Sequence, residues 1–380
     1  MNYDNLKNYI SENYDGVITV LKELCLIPAP SHHEEERAEY CRQWLNNNVA
    51  KGAYIDDALN VIFPINCENS NEITVFVAHT DTVFPDLEPM KYVDDGEKIY
   101  CPGVGDDTAS VSVLLHTAKY FIQNNIMPEK GALFVCNSCE EGLGNLKGTR
   151  QIFKDFEGRI ARFISFDCAK NNYVADKCVG SHRYEVEALT EGGHSYASFG
   201  NANAIHEISK IVEEIYKIEV PQMEGERTTY NVGEISGGTS VNTIAQSAKL
   251  LCEYRSSHKD GLAIMQEKFE HIFRQARSDK VRITVTKVGD RPCGHIDDAK
   301  VEDLRKIVMP VLEDITKEKT VFKFSSTDCN IPLSLGIPAI CVGVYNGGRA
   351  HTRDEWIDKS SLRQGLEAAI RLSKRFAGVE

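Results

Sequence analysis

Short unbroken apolar runs alternate along this chain with longer stretches in which apolar positions recur every three or four residues. The stretch "NLKNYISENYDGVITVLKELCLI" spaces Ile18, Leu21, Leu24 and Leu26 near a helical period, and "PAPS" then breaks it. A second helix is predicted over "HEEERAEYCRQWLNNNVAK", whose Glu-rich first turns follow Ser31; His32 and His33 at that boundary read as exposed. Next come "ITVFVA", the helical "ASVSVLLHTAKYFIQNN" with His116 inside it as a structural residue, "GALFVCNS" and "RFISFD". Unbroken apolar strands alternating with helices predict a largely parallel sheet covered on both faces. From about residue 181 the texture changes. "HRYEVEALT" alternates with period two and is followed by a helix, the strands "TTYNVGEIS" and "SAKLLCEYRS", the helix "DGLAIMQEKFEHIFRQARS" and the strand "VRITVTKVG". That β-α-β-β-α-β order predicts an inserted ferredoxin-like domain at residues 181–291, flanked by an α/β domain over 1–180 and 292–380. The first texture then resumes with "VEDLRKIVMPVLEDI", "IPAICVGV" and a C-terminal helix.

Composition narrows the function classes. A chain of 380 residues exceeds what one core usually serves, which fits two domains at roughly 100–200 residues each. The formal net charge of −13 disfavours nucleic acid and anionic membrane as partners, since both are bound through clusters of Lys and Arg. No apolar stretch reaches the length of a membrane span, and the start lacks the layout of a signal peptide. Twelve cysteines in such a chain point to reduced thiols and a cytoplasmic setting. The single C-x-x-C, Cys136 with Cys139, reads as strand-end packing.

The chemistry gathers just beyond the apolar strands. His79 and Asp81 follow "ITVFVA", Glu140 and Glu141 follow "ALFVCNSC", Asp167 follows "FISF", and a Gly-rich loop after "IPAICVGV" leads to His351. Ligands in open α/β sheets bind at the carboxyl ends of the strands, so these groups can converge. In an extended segment His79 and Asp81 share a face. Both could ligate a metal; the favoured arrangement has His79 ligating through one ring nitrogen while Asp81 holds the other. "CPGVGDDTAS" adds adjacent carboxylates in a turn, and either Asp106 or Asp107 is a candidate to bridge metal ions. Of Glu140 and Glu141, one can ligate and the other can accept a proton from water.

In chain order, "IPAPSHHEEE", "AHTDTV", "PGVGDD", "SCEEGLG", "GGHSYASFGNANAI", "GGTSVNTI", "SSTDCN" and "AHTRDEW" resemble the di-zinc metallopeptidase family of peptidase T, the dipeptidases, carboxypeptidase G, aminoacylase and the succinyl-diaminopimelate and acetylornithine deacylases. The resemblance, closest to the peptidase T-like members, implies a zinc-dependent exopeptidase α/β domain with a mixed, largely parallel sheet and the inserted domain as a lid. It implies His79 and Asp167 on one zinc, Glu141 and His351 on the other, Asp106 bridging, Asp81 behind His79 and Glu140 as general base. His194, Asn242 and Arg255 match lid residues that hold substrate. The Asp106–Asp107 bond is cis in relatives, and Thr108 stands where peptidase T-like members usually carry Lys. The reaction implied is amide hydrolysis on a small peptide, tipped toward a free amino end by Asp rather than Glu at 167, with an N-acyl-amino-acid deacylase or a carboxypeptidase of the same family as the alternative. Cobalt or manganese could replace zinc, and a homodimer through the lid is common in relatives. A protein that binds metal without catalysis is the reading from another class, against which Glu140 argues.

Overall fold

No residue of strand Ile73–His79 or of strand Gly131–Asn137 is exposed, so both faces of each strand are covered, as their unbroken apolar sequences require. In the computed structural model, which describes residues 3–68, 70–294 and 296–379, they sit side by side inside an eight-stranded sheet. Its order is Tyr54–Ile55, Val61–Ile65, Gly131–Asn137, Ile73–His79, Ile160–Cys168, Ala339–Gly343, Tyr173–Cys178 and Val321–Ser325. The run of four strands from 131–137 through 339–343 is parallel, whereas 61–65 and 173–178 pair antiparallel with their neighbours in that run. The sheet is therefore mixed and largely parallel. Helix Ser110–Gln123 lies on the central strands and beneath helices Tyr3–Cys25 and Ser361–Phe376, which explains why it is apolar nearly all round. His116 on it is buried, with its Nδ1 2.9 Å from the Ser112 carbonyl and its ring beside Trp44.

The chain divides into two compact units, Met1–Cys178 together with His295–Glu380, and Val179–Gly294. The second holds an antiparallel sheet in the order Thr228–Gly237, Ser247–Ser256, Gly180–Leu189, Arg282–Arg291, with the β-α-β-β-α-β connection of a ferredoxin-like fold. Burial alternates along its central strands. Val186, Ala188, Leu250, Cys252 and Tyr254 are buried, as are Ile208, Ile211 and Ile215 of helix Ala204–Tyr216 and Met265, Phe269 and Phe273 of helix Lys259–Gln275. A small antiparallel sheet in the first unit, formed by Asn346–Gly348, Trp356–Asp358, Lys98–Tyr100 and Val93–Asp94, was not anticipated from the pattern of the sequence. Neither were strands 61–65, 173–178 and 321–325. Among the described residues no helix is long and apolar enough to cross a membrane.

Candidate metal centre

Because four strands run parallel, their carboxyl ends share one edge of the sheet, and the acids and histidines that follow them are delivered there. His79 ends its strand with Nε2 3.0 Å from Asp106 Oδ1. Its Nδ1 lies 3.0 Å from the Asp81 carbonyl oxygen and 3.4 Å from Asp81 Oδ1, so Asp81 faces one ring nitrogen and Asp106 the other. His351 brings Nε2 to 3.1 Å from Asp106 Oδ2 and 3.0 Å from Glu141 Oε1. The two oxygens of Asp106 thus address two different imidazoles. Ligand atoms of His79, Asp106 and Glu141 all lie within 4.8 Å of one another.

Local contacts fix each group. The Asp106–Asp107 peptide is cis, and the Asp107 carboxylate accepts the His79 backbone N–H at 3.0 Å. Gly103 opens this turn at φ 73°, where a Cβ would sit 2.6 Å from the Thr82 methyl, so only glycine fits. Glu355, buried, accepts the N–H groups of Gly103, Gly105 and Asp106 at 2.7, 2.9 and 2.9 Å. Asp81 accepts from Ser31 Oγ at 2.6 Å and from the N–H groups of Glu140 and Glu141 at 2.9 Å each. Thr108 Oγ1 donates to the Gly103 carbonyl and accepts from the buried guanidinium of Arg37.

The electrostatics are those of crowded carboxylates. Burial alone would depress His79, yet its bonds to Asp106 and Asp81 hold it well above the usual histidine range. His351 is pushed up to about 10 by Asp106 and Glu141. Burial opposes ionisation of Asp106, but His351 and His79 outweigh it and keep the carboxyl well below its ordinary range. Glu141 is raised to about 7 by burial and then by Asp106. Asp167 and Asp107 are both pushed well above the ordinary value, by desolvation first, Asp106 adding to each. Two imidazolium groups do not neutralise this many acids. A divalent cation held by nitrogen and oxygen donors would, and the donor set fits one.

Among the residues singled out from sequence, the structure brings His79, Asp81, Asp106, Glu141 and His351 into direct contact, with Asp167 close enough to feel Asp106 and His79, and with Glu140, nearly fully buried, anchored through its backbone to Asp81. His194, Asn242 and Arg255 belong to the second unit. There His194 pairs with Thr243, and its Nδ1 accepts from the Tyr196 N–H at 3.2 Å. The Asn242 carbonyl accepts the Ser195 N–H at 3.0 Å, which places Asn242 beside His194. Arg255 forks onto Glu253 at 2.7 and 3.1 Å. Sequence reasoning missed Glu355, although it lies within "AHTRDEW"; an acid between His351 and a tryptophan was the available signal.

A model of a family described as "Peptidase family M20/M25/M40" matches residues 75–375. The chain is 24% identical over 344 residues to the succinyl-diaminopimelate desuccinylase of Corynebacterium glutamicum, covering 89% of this chain and 90% of that protein. It is similar in structure to the aminopeptidase PepT of Bacillus cereus, with a TM-score of 0.71 at 18% identity over 96% of this chain and 99% of that one. Likewise it resembles the Bacillus subtilis protein YXEP, described as a dinuclear metal binding peptidase, with a TM-score of 0.65 at 14% identity, covering 97% of this chain and all (100%) of that one.

Proposed function

The chain belongs to peptidase family M20/M25/M40, metal-dependent hydrolases of peptide and amide bonds, and from that premise we propose that it is a di-zinc exopeptidase releasing a residue from small peptides with a free amino end. The observation that carries the two-metal reading is the division of Asp106, one oxygen toward His79 and the other toward His351. His79 and Asp167 would hold one ion, Glu141 and His351 the second, and Asp106 both. When bound, the metal pair supplies Lewis acidity toward the scissile carbonyl and toward water. Glu140 accepts the proton from the attacking water and returns it to the departing amine. Asp81, fixed by Ser31 and two backbone N–H groups, holds the His79 ring in one orientation. His194, Asn242 and Arg255 are assigned to the substrate by motif match: His194 to the developing oxyanion and the guanidinium to a carboxylate. Zinc is the proposed metal, and the same nitrogen and oxygen donors also accept cobalt or manganese. A homodimer through the 179–294 unit and a reducing, cytoplasmic setting complete the reading; none of the twelve cysteines is joined in a disulfide.

A second reading, hydrolysis of an N-acyl amino acid, is favoured by the likeness to a desuccinylase across 89% of the chain. The experiment is hydrolysis by zinc-loaded protein of di- and tripeptides, N-acetyl and N-succinyl amino acids and aroyl-glutamates, with Glu140→Gln as the blank. Cleavage of free peptides alone supports the exopeptidase; cleavage of blocked substrates alone replaces it with the deacylase. If nothing is cleaved, a binding role takes the place of both.

A further inference from the structure

Ser31, Glu34 and Arg37 recur every third residue along the approach to helix Glu35–Asn48 and its first turn, and each reaches a different segment of the metal centre. Ser31 Oγ donates to Asp81 at 2.6 Å and lies 3.2 Å from the Glu141 carbonyl oxygen. Arg37, 1% exposed, donates to the carbonyls of Ile27 and Thr80, both at 2.8 Å, and to Thr108 Oγ1 at 3.1 Å. Glu34 occupies the N-cap position, yet its side chain makes no bond to its own helix. Its Oε1 accepts instead the Cys139 N–H at 2.9 Å and the Cys139 thiol at 3.2 Å.

Cys139 sits at φ 55°, a left-handed conformation that costs a non-glycine residue about 1–2 kcal/mol, and it immediately precedes Glu140 and Glu141. Something must hold it there. Among the described residues, Glu34 Oε2 and Arg37 Nη2 have no hydrogen-bond partner although both are buried, and no carboxylate lies within ion-pair distance of Arg37. A buried carboxylate and guanidinium left partly unsatisfied lower stability, so packing alone does not account for them. We propose that Glu34, assisted by Ser31, is a positioning residue for hydrolysis: it pins the Cys139 backbone and thereby sets where the Glu140 and Glu141 carboxylates point.

Because Glu34 acts here through the hydrolytic site proposed above, the test pairs turnover with a readout that needs none. Glu34→Ala, Glu34→Gln and Glu34→Asp are made in the full chain and loaded with cobalt, and the visible absorption of the metal is compared alongside kcat and KM. Losing a contact behind the ligands typically lowers activity about 10–100-fold, so Glu34→Ala should lose that much kcat with KM within about threefold and a displaced cobalt band. Glu34→Gln, whose amide oxygen can still accept the Cys139 N–H, should restore both. A folded Glu34→Ala protein with wild-type kcat and band overturns the assignment, as does a Gln variant as impaired as Ala. Should Glu34→Ala fail to fold by circular dichroism, Glu34→Asp decides, since it keeps the charge but is one methylene too short to hold the Cys139 N–H; unchanged kcat and band there overturn it too. If the wild type cleaves nothing while Glu34→Ala still displaces the band, the hydrolytic reading falls and the positioning of Glu141 stands.

Discussion

Replacing Asp81 by Asn changes no volume, and its effect can be worked from the hydrogen bonds alone. The Oδ1 atom accepts the Glu140 N–H and faces His79 Nδ1 at 3.4 Å; Oδ2 accepts the Glu141 N–H and the Ser31 hydroxyl. An amide nitrogen must take one of these two places. At Oδ2 the Ser31 hydroxyl can rotate and accept, but the Glu141 N–H cannot; at Oδ1 the Glu140 N–H is the one stranded. Either way a charge-assisted bond of about 1.5–3 kcal/mol is lost and a buried donor is left unpaired at about 1–3 kcal/mol, so the unit should lose roughly 3–5 kcal/mol. The direction agrees with Asp81 titrating below the ordinary range, where His79 and the Ser31 hydroxyl override burial. Both tryptophans, Trp44 and Trp356, lie in the first unit, so urea unfolding of chelator-treated protein followed by tryptophan fluorescence reports that unit alone. Activity of the zinc-loaded variant should fall about 10–100-fold. A loss below about 1 kcal/mol would refute the account of Asp81 as an anchor.

Further outcomes follow from other contacts. His116 is lowered to about 4 by burial, so the unfolded chain takes its proton first and stability drains away as pH falls from 6.5 toward 4, by about 3 kcal/mol in all. His116→Leu should flatten the acid limb of a stability profile in that window, and an unchanged limb would contradict the assignment. A Cβ on Gly365 would stand 1.6 Å from the Val344 carbonyl oxygen, backbone that cannot yield locally. Gly365→Ala should therefore cost about 3 kcal/mol or more despite the better helix propensity of alanine, as a fall in the urea midpoint would show. Chelation should abolish activity and lower the unfolding temperature, since metal at a hundredfold excess over Kd stabilises by about 2.7 kcal/mol. If neither responds, the metal centre is misread.

The strands that carry the chemistry were legible because a parallel strand buried on both faces must be apolar throughout, and its first polar residues mark its carboxyl end. His79, Glu140 and Asp167 were singled out because they stand at or just beyond such ends. Strand 61–65 escaped because it contains Pro64, which argues against a central strand; the structure accommodates it because the outer neighbour 54–55 pairs only with Val61 and Ile62. The strands of the small sheet, two or three residues each, carry no period to read. Glu355 and Arg37 were invisible for another reason. Their partners are mostly backbone groups, whose positions no side-chain pattern encodes.

Strands 160–168 and 173–178 are near neighbours in sequence, yet the place between them is taken by 339–343, which comes only after the whole 179–294 unit. A growing chain therefore carries an open slot beside strand 160–168, with strand 173–178 still lacking both of its neighbours because 321–325 also comes later, through synthesis of the entire inserted unit. Closing that slot also starts the loop that delivers His351. Completion of the sheet and completion of the metal centre are thus one late event, and a nascent chain stopped before it would be both a non-binder of metal and a ready partner for stray strands.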